Sequence, residues 1–363
     1  MPPAWGSTPA RAPGCRSRRP RCRSSRRGRS SRPPSRARPG AASCGSHARE
    51  AAVSHPGGGR GAFGGVRVIP FGDRLAARVE ACGSALCVGI DPRGPFPDEV
   101  LRGLADSRSG QARAVERYAV GLVEAAAPFC AAVKPQVALF ELLGGYGLHA
   151  LDRVCETARE HGLLIIADAK RGDIASTATA YAEAWIGLRP GETAPLADAV
   201  TVNAYMGPDT VEPFLAVADR HGAGLFVLAR TSNPGASELE ERRLEDGGQV
   251  WEAVAGWIAD WGGERKGTSG LASIGAVVGA TAPAAVRTAR DLMPDAPLLL
   301  PGVGAQGGRM EDLAPAFERH PAGGLVVAAR SVIEAWRDTD ADWRSAVAEA
   351  ARRHAEDIRR LGA

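Results

Sequence analysis

Eight short apolar runs recur along the chain, and they constrain the fold more than any other feature. They are "ALCVGID" (85–91), "FCAAVKP" (129–135), "LLIIADAK" (163–170), "ADAVTVNAY" (197–205), "GLFVLART" (224–231), "IGAVVGAT" (274–281), "APLLLPGVG" (296–304) and "GGLVVAAR" (323–330). Each run is almost continuously apolar, the pattern of strands buried on both faces of a parallel sheet. Between them lie amphipathic helical stretches such as "AVERYAVGLVEAAAP" and "DTVEPFLAVADRHG". A small motif marks the returns: "REHGLL", "DRHGAGLF" and "ERHPAGGL" each close a helix on His, turn at Gly or Pro, and enter a strand. A histidine there complements the negative helix end, which assigns His161, His221 and His320 to helix ends rather than to chemistry. Eight strands alternating with helices over about 300 residues predict an α/β protein, a single (β/α)8 TIM barrel. A doubly wound open sheet is the alternative, although no G-x-G-x-x-G follows an early strand.

The regular pattern begins near residue 66, and what precedes it differs in kind. Residues 1–50 hold thirteen Arg and one acid, a net charge of +12 in a chain whose total is +4, which leaves −8 for the rest. Residues 1–65 are rich in Arg, Ser, Pro and Gly, without apolar periodicity, and are expected to be disordered because they cannot bury enough surface to offset ordering. Three readings apply to this extension. It is a start assigned too far upstream, with Val66 or Val68 as the true one; a nucleic-acid-binding tail; or an organellar transit peptide. The barrel domain is expected over 66–363.

The seven cysteines (15, 22, 44, 82, 87, 130 and 155) show no C-x-x-C spacing, and those in the body sit in apolar contexts. The chain is therefore read as cytoplasmic and reducing. No apolar run approaches the roughly eighteen residues a membrane helix needs.

In a barrel, function gathers at the C-terminal ends of the strands. Those ends read Asp91, Lys134, Asp168 with Lys170, Asn203, Thr231 with Ser232, Thr281, Gln306 and Arg330. Only three lysines occur, Lys134, Lys170 and Lys266, against 42 arginines, and two of the three are in this set. In "ADAKRGDI" (167–174) Asp168 and Lys170 are two apart, so on a strand they point to the same side. Taken alone, Asp173 reads as an N-cap or first-turn acid of the following helix. "PGVGAQGG" (301–308) is a glycine-rich loop able to offer backbone N–H groups to an anion. Arg330, ending the last run, has a fork suited to phosphate. The segment 236–270 is a candidate cover over the site.

"ADAKRGDI" resembles the D-x-K-x-x-D signature of the orotidine 5′-phosphate decarboxylases. "CVGIDP", "VKPQ", "TVNAYMG", "TSNPG", "GAVVGAT" and "PGVGAQGG" are similar, in order, to the long bacterial (type 2) subgroup of that family. The resemblance covers about residues 70–335; the basic extension has no counterpart, and "AARSVI" departs slightly from the usual stretch after the last strand. It implies conversion of orotidine 5′-phosphate to UMP and CO2 in pyrimidine biosynthesis, with no metal or organic cofactor. It further implies a catalytic array of Lys134, Asp168, Lys170 and Asp173, with Lys170 the proton donor to C6 of the pyrimidine. Asp91 would bind the ribose, Ser232 the pyrimidine edge, and Gln306 and Arg330 the phosphate. Asp173, with Ile174 and Thr177, would reach into the partner's site, implying a homodimer with shared active sites.

The signature alone is common to sugar-phosphate lyases and synthases of the same superfamily, which would use these acids as Mg2+ ligands; that is the nearest alternative. A Schiff-base aldolase would need Lys170 as nucleophile, a role its acidic neighbours oppose. A protein that binds nucleic acid through the Arg-rich extension is the distant one; the enzyme reading needs neither nucleic acid nor membrane.

Overall fold

A computed structural model describes residues 68–304 and 307–361. The extension expected to be disordered, and Gln306, lie outside the described residues. Eight parallel strands close a barrel in chain order: β1 (Leu86–Ile90), β2 (Ala132–Pro135), β3 (Leu164–Arg171), β4 (Ala199–Val202), β5 (Gly224–Arg230), β6 (Ile274–Val278), β7 (Leu298–Pro301) and β8 (Gly324–Ala328). Every strand coincides with one of the eight apolar runs, β3 running one residue beyond its run to Arg171, and β1 pairs with β8 to complete the circle. The open-sheet alternative is thereby excluded. Between β7 and β8 the chain forms a 3-10 helix, Glu311–Phe317, rather than an α-helix. Pro315 sits inside it and removes a backbone donor.

The strands are buried along nearly their whole length because helices cover them outside and side chains fill them inside. A helix at Phe71–Cys82 closes the N-terminal mouth of the barrel. Phe71 is fully buried against Gly224, the first residue of β5, and meets the Phe226 ring edge-on at 5.9 Å. Arg74 of this helix pairs with Asp198, whose other oxygen accepts the Ile165 N–H of β3 at 2.8 Å. With that mouth closed, the opposite end is the one open to ligands.

His161 and His221 do end helices, as the C-cap of Gly145–Glu160 and the last residue of Glu212–His221. His320 lies in the turn beyond the 3-10 helix, its Nδ1 accepting the Ala322 N–H at 2.9 Å. No helix among the described residues is long and apolar enough to cross a membrane.

Candidate active site

A cavity of about 540 Å³ opens at the C-terminal ends of the strands, lined by Asp91, Lys134, Asp168, Lys170, Ser232 and Arg330 among others. Asp168 is its centre. One oxygen accepts from the Lys134 ammonium at 2.5 Å and from Gln136 Nε2 at 3.1 Å. The other accepts from the Lys170 ammonium and from Thr201 Oγ1 at 3.2 Å. Burial by itself would push the Asp168 carboxyl up, but Lys134 and Lys170 hold it far below the usual carboxylate range. Burial likewise opposes charge on Lys134, yet Asp168 and Asp91 together raise its pKa. The side chains of Lys134 and Asp168 are each 8 % exposed, whereas that of Lys170 is 46 % exposed, so Lys170 is the amine that can meet a ligand.

Asp168 and Lys170 meet as expected, but the pleat alone does not bring them together. Lys170 has φ 49°, a left-handed conformation costing a non-glycine residue about 1–2 kcal/mol. The β3–β4 register shifts between Ala167 and Arg171, so Lys170 sits on an irregularity at the end of the strand. Its N–H is accepted by Thr201 Oγ1 at 2.8 Å rather than by a strand carbonyl.

Asp91 directly follows β1, and its Oδ1 is buried with no hydrogen-bond partner among the described residues. A buried carboxylate oxygen without a donor is costly, which points to a ligand that supplies one. Ser232 lines the cavity on a loop bolted down by its neighbours: Glu240 accepts both the N–H and the hydroxyl of Thr231, at 2.8 and 2.6 Å. Arg230 adds a pair to Glu241 at 2.8 Å. A Cβ at Gly279 would stand 2.8 Å from Ser232 Cα, so glycine is required for that approach.

Several expectations change. Three amides of the glycine-rich loop turn inward: Gly304, Gly307 and Gly308 donate to carbonyls of Gly308, Gly304 and Gly302 at 2.9, 2.8 and 3.0 Å, while Gly302 and Val303 line the cavity. Those three N–H groups close the loop rather than facing an anion, and Arg330 is the cationic group left at the cavity's rim. The candidate cover is shorter than 236–270. Within it, only Ala236, Leu239 and Glu240 line the cavity, while Val250–Gly263 is a barrel helix that buries Trp251, Ala255 and Ile258. Asn203 folds back to accept the Tyr205 N–H at 3.0 Å and is not among the lining residues.

Asp173 is not a helix cap. Its Oδ1 accepts only from the adjacent Ile174 N–H at 2.8 Å, and Ile174 is itself the uncapped N-cap position. Asp173, Ile174 and Thr177 all lie outside the cavity lining of their own chain. Gln136 and Thr201 were missed by the strand-end reading. Their signals were a polar residue two after Lys134 and a lone hydroxyl inside the apolar run "AVTV".

The family model described as "Orotidine 5′-phosphate decarboxylase / HUMPS family" matches residues 84–346. The orotidine 5′-phosphate decarboxylase of Rhodopirellula baltica is 38 % identical over 293 residues, spanning 77 % of this chain and 96 % of the relative. That of Deinococcus radiodurans is 42 % identical over 264 residues, 72 % of this chain and 88 % of the relative. Among solved structures, Leishmania donovani OMP decarboxylase superposes with a TM-score of 0.62 at 30 % identity, covering 81 % of this chain and 98 % of the other. The chain belongs to the orotidine 5′-phosphate decarboxylase / HUMPS family.

Proposed function

We propose that the chain decarboxylates orotidine 5′-phosphate to UMP and CO2, the step that completes UMP in pyrimidine biosynthesis. The observation that carries the reading is the Lys134–Asp168–Lys170 array, buried at one end and open to the cavity at Lys170. Breaking the bond from C6 to the carboxylate leaves an electron pair on C6 in an orbital not conjugated with the ring carbonyls. No ordinary electron sink helps, so the stabilising charge must be supplied from outside the ring. The Lys170 ammonium does so, then transfers a proton from Nζ to C6 and recovers one from solvent.

Asp168 pins that ammonium and opposes the substrate carboxylate, while Lys134 neutralises Asp168 from below and reaches toward the ribose. Arginine could not replace Lys170, because it has no accessible neutral form with which to finish the transfer. Asp91 accepts from ribose hydroxyls, Ser232 reads the pyrimidine edge, and Arg330 and Gln306 hold the phosphate. Binding of the remote phosphate helps organise the loops around the reacting carbon.

The proposal includes a homodimer in which Asp173, Ile174 and Thr177 complete the neighbour's site. Their position outside their own cavity supports it. So does the exposed apolar surface after β2, β3 and β4, where Tyr146 is 60 %, Ile174 58 % and Tyr205 79 % exposed. We place the enzyme in the cytoplasm, where Cys82, Cys87, Cys130 and Cys155, all unpaired with one another, would stay reduced. The Mg2+-dependent lyase reading is disfavoured by Asp168 itself. Both its oxygens already accept from cationic or N–H and O–H donors, which a metal would have to displace.

The test is the ultraviolet absorbance change on adding orotidine 5′-phosphate to protein dialysed against chelator. Sustained decarboxylation supports the reading; activity that appears only with Mg2+, or none at all, contradicts it.

A further inference from the structure

We propose that Thr201 is a positioning residue for this decarboxylation, holding the Lys170 backbone in the conformation that aims its ammonium into the cavity. The inference rests on the functional reading above. Thr201 is the one polar residue in β4 and is 1 % exposed, so its hydroxyl must find partners within the protein. It finds two, both belonging to the charged array. Oγ1 accepts the Lys170 N–H at 2.8 Å and donates to Asp168 Oδ1 at 3.2 Å. The same Asp168 oxygen accepts from the Lys170 ammonium, so a single hydroxyl links the start of the Lys170 residue to the anion that holds its tip.

The backbone explains why such a link is needed. Lys170 and Ala175 are the only described non-glycine residues with positive φ. Where the β3–β4 register shifts between Ala167 and Arg171, the Lys170 amide turns to a side-chain acceptor, the Thr201 hydroxyl. An apolar side chain of the same shape would leave that part-buried N–H without its acceptor, and would deprive Asp168 of one of four donors. The residue then gains by returning toward an ordinary strand conformation, and the ammonium moves with it. Lys134 and Gln136 anchor the other Asp168 oxygen, so the acid stays in place while Lys170 shifts.

The test compares the wild-type chain with Thr201→Val and Thr201→Ser in steady-state decarboxylation of orotidine 5′-phosphate, beside thermal melts. Thr201→Val removes the hydroxyl at nearly constant volume. It is expected to lower kcat about 10- to 100-fold, as for a small misplacement of a reacting group, with KM within about threefold of the wild type. Thr201→Ser keeps the hydroxyl and is expected to recover kcat to within about threefold. A merely structural residue would lower the melting temperature in both variants without this split. Should Thr201→Val not fold, the smaller Thr201→Ala carries the same prediction. Normal kcat in the hydroxyl-free variant, or an equal loss in Thr201→Ser, overturns the inference while leaving the functional reading intact. A wild-type protein without decarboxylase activity overturns both.

Discussion

At the scale of single residues, Asp168 organises the site. It accepts from Lys134, Gln136, Lys170 and Thr201, so each neighbour is held by a charge that is itself held. Removing one partner of a buried ion pair costs about 3–5 kcal/mol, so changes at Asp168 or Lys134 would affect folding as well as turnover. Lys170, with its side chain half exposed to the cavity, is the member that can be removed with least harm to the fold. The lysines and Asp168 were legible in the sequence because lysine is so scarce here that its position carried meaning. Gln136 and Thr201 were not, since their residue types are common and their role depends on a register shift that no local pattern announces. Asp173 enters the proposal only through family resemblance; its own surroundings show neither a cap nor a cavity residue. A separate carboxylate offers a pH test. Asp73 is slightly buried, which pushes its pKa up, but the N–H groups of Ser269 and Thr268 bring it down to about 2. Since this lies below the ordinary 3.8, its contribution to stability is fully present above pH 4 and fades as pH falls through about 2. Asp73→Asn should therefore melt below the wild type at pH 7, with the gap closing toward pH 2. A gap that is unchanged in acid would contradict the assignment.

At the scale of elements, the strands were legible because a run buried on both faces has no room for polar residues. Of the buried exceptions, Lys134 and Asp168 near strand ends and Thr201 within one mark the site, while Arg230 at the end of β5 pairs with Glu241. The candidate cover took in the long segment between β5 and β6, of which 250–263 packs on those two strands as one of the barrel helices. Between β6 and β8 the structure depends on one residue that the sequence pattern hides among 42 arginines. Arg290, on the helix Pro283–Leu292, is 2 % exposed. It donates to the carbonyls of Met293, Pro294, Ala296, Ala316 and Gly323 at 2.7–3.1 Å. Burial lowers its pKa to about 10, so it remains charged at neutral pH. It substitutes for the secondary-structure bonds that a 3-10 helix and two turns cannot make among themselves. Arg290→Leu would strand these carbonyls, at a cost of about 3 kcal/mol or more. The expected fall in melting temperature is about 10 °C, with turnover at low temperature retained. An unchanged melt would show that the carbonyls find other donors.

At the scale of the molecule, stability and chemistry lie at opposite ends of the barrel. The helix Phe71–Cys82 seals the N-terminal mouth through Phe71, Arg74 and Asp73, while β1, β2, β3 and β8 bring Asp91, Lys134, Asp168 with Lys170, and Arg330 to the other. Strand order was legible because a closed barrel admits one arrangement of eight consecutive parallel strands, which also fixed the face on which to seek the site. How the glycine-rich loop spends its own amides was not legible, because a loop's internal bonding leaves no periodic trace. On the proposed function, this end of the barrel delivers a proton from Lys170 to a carbon that has just lost CO2. The measurement that meets this step most directly is the steady-state rate of orotidine 5′-phosphate decarboxylation by Lys170→Ala beside the wild type, with melting curves to verify folding. The variant is expected to fold and to lose turnover by many orders of magnitude. Near-normal turnover in Lys170→Ala would contradict the account.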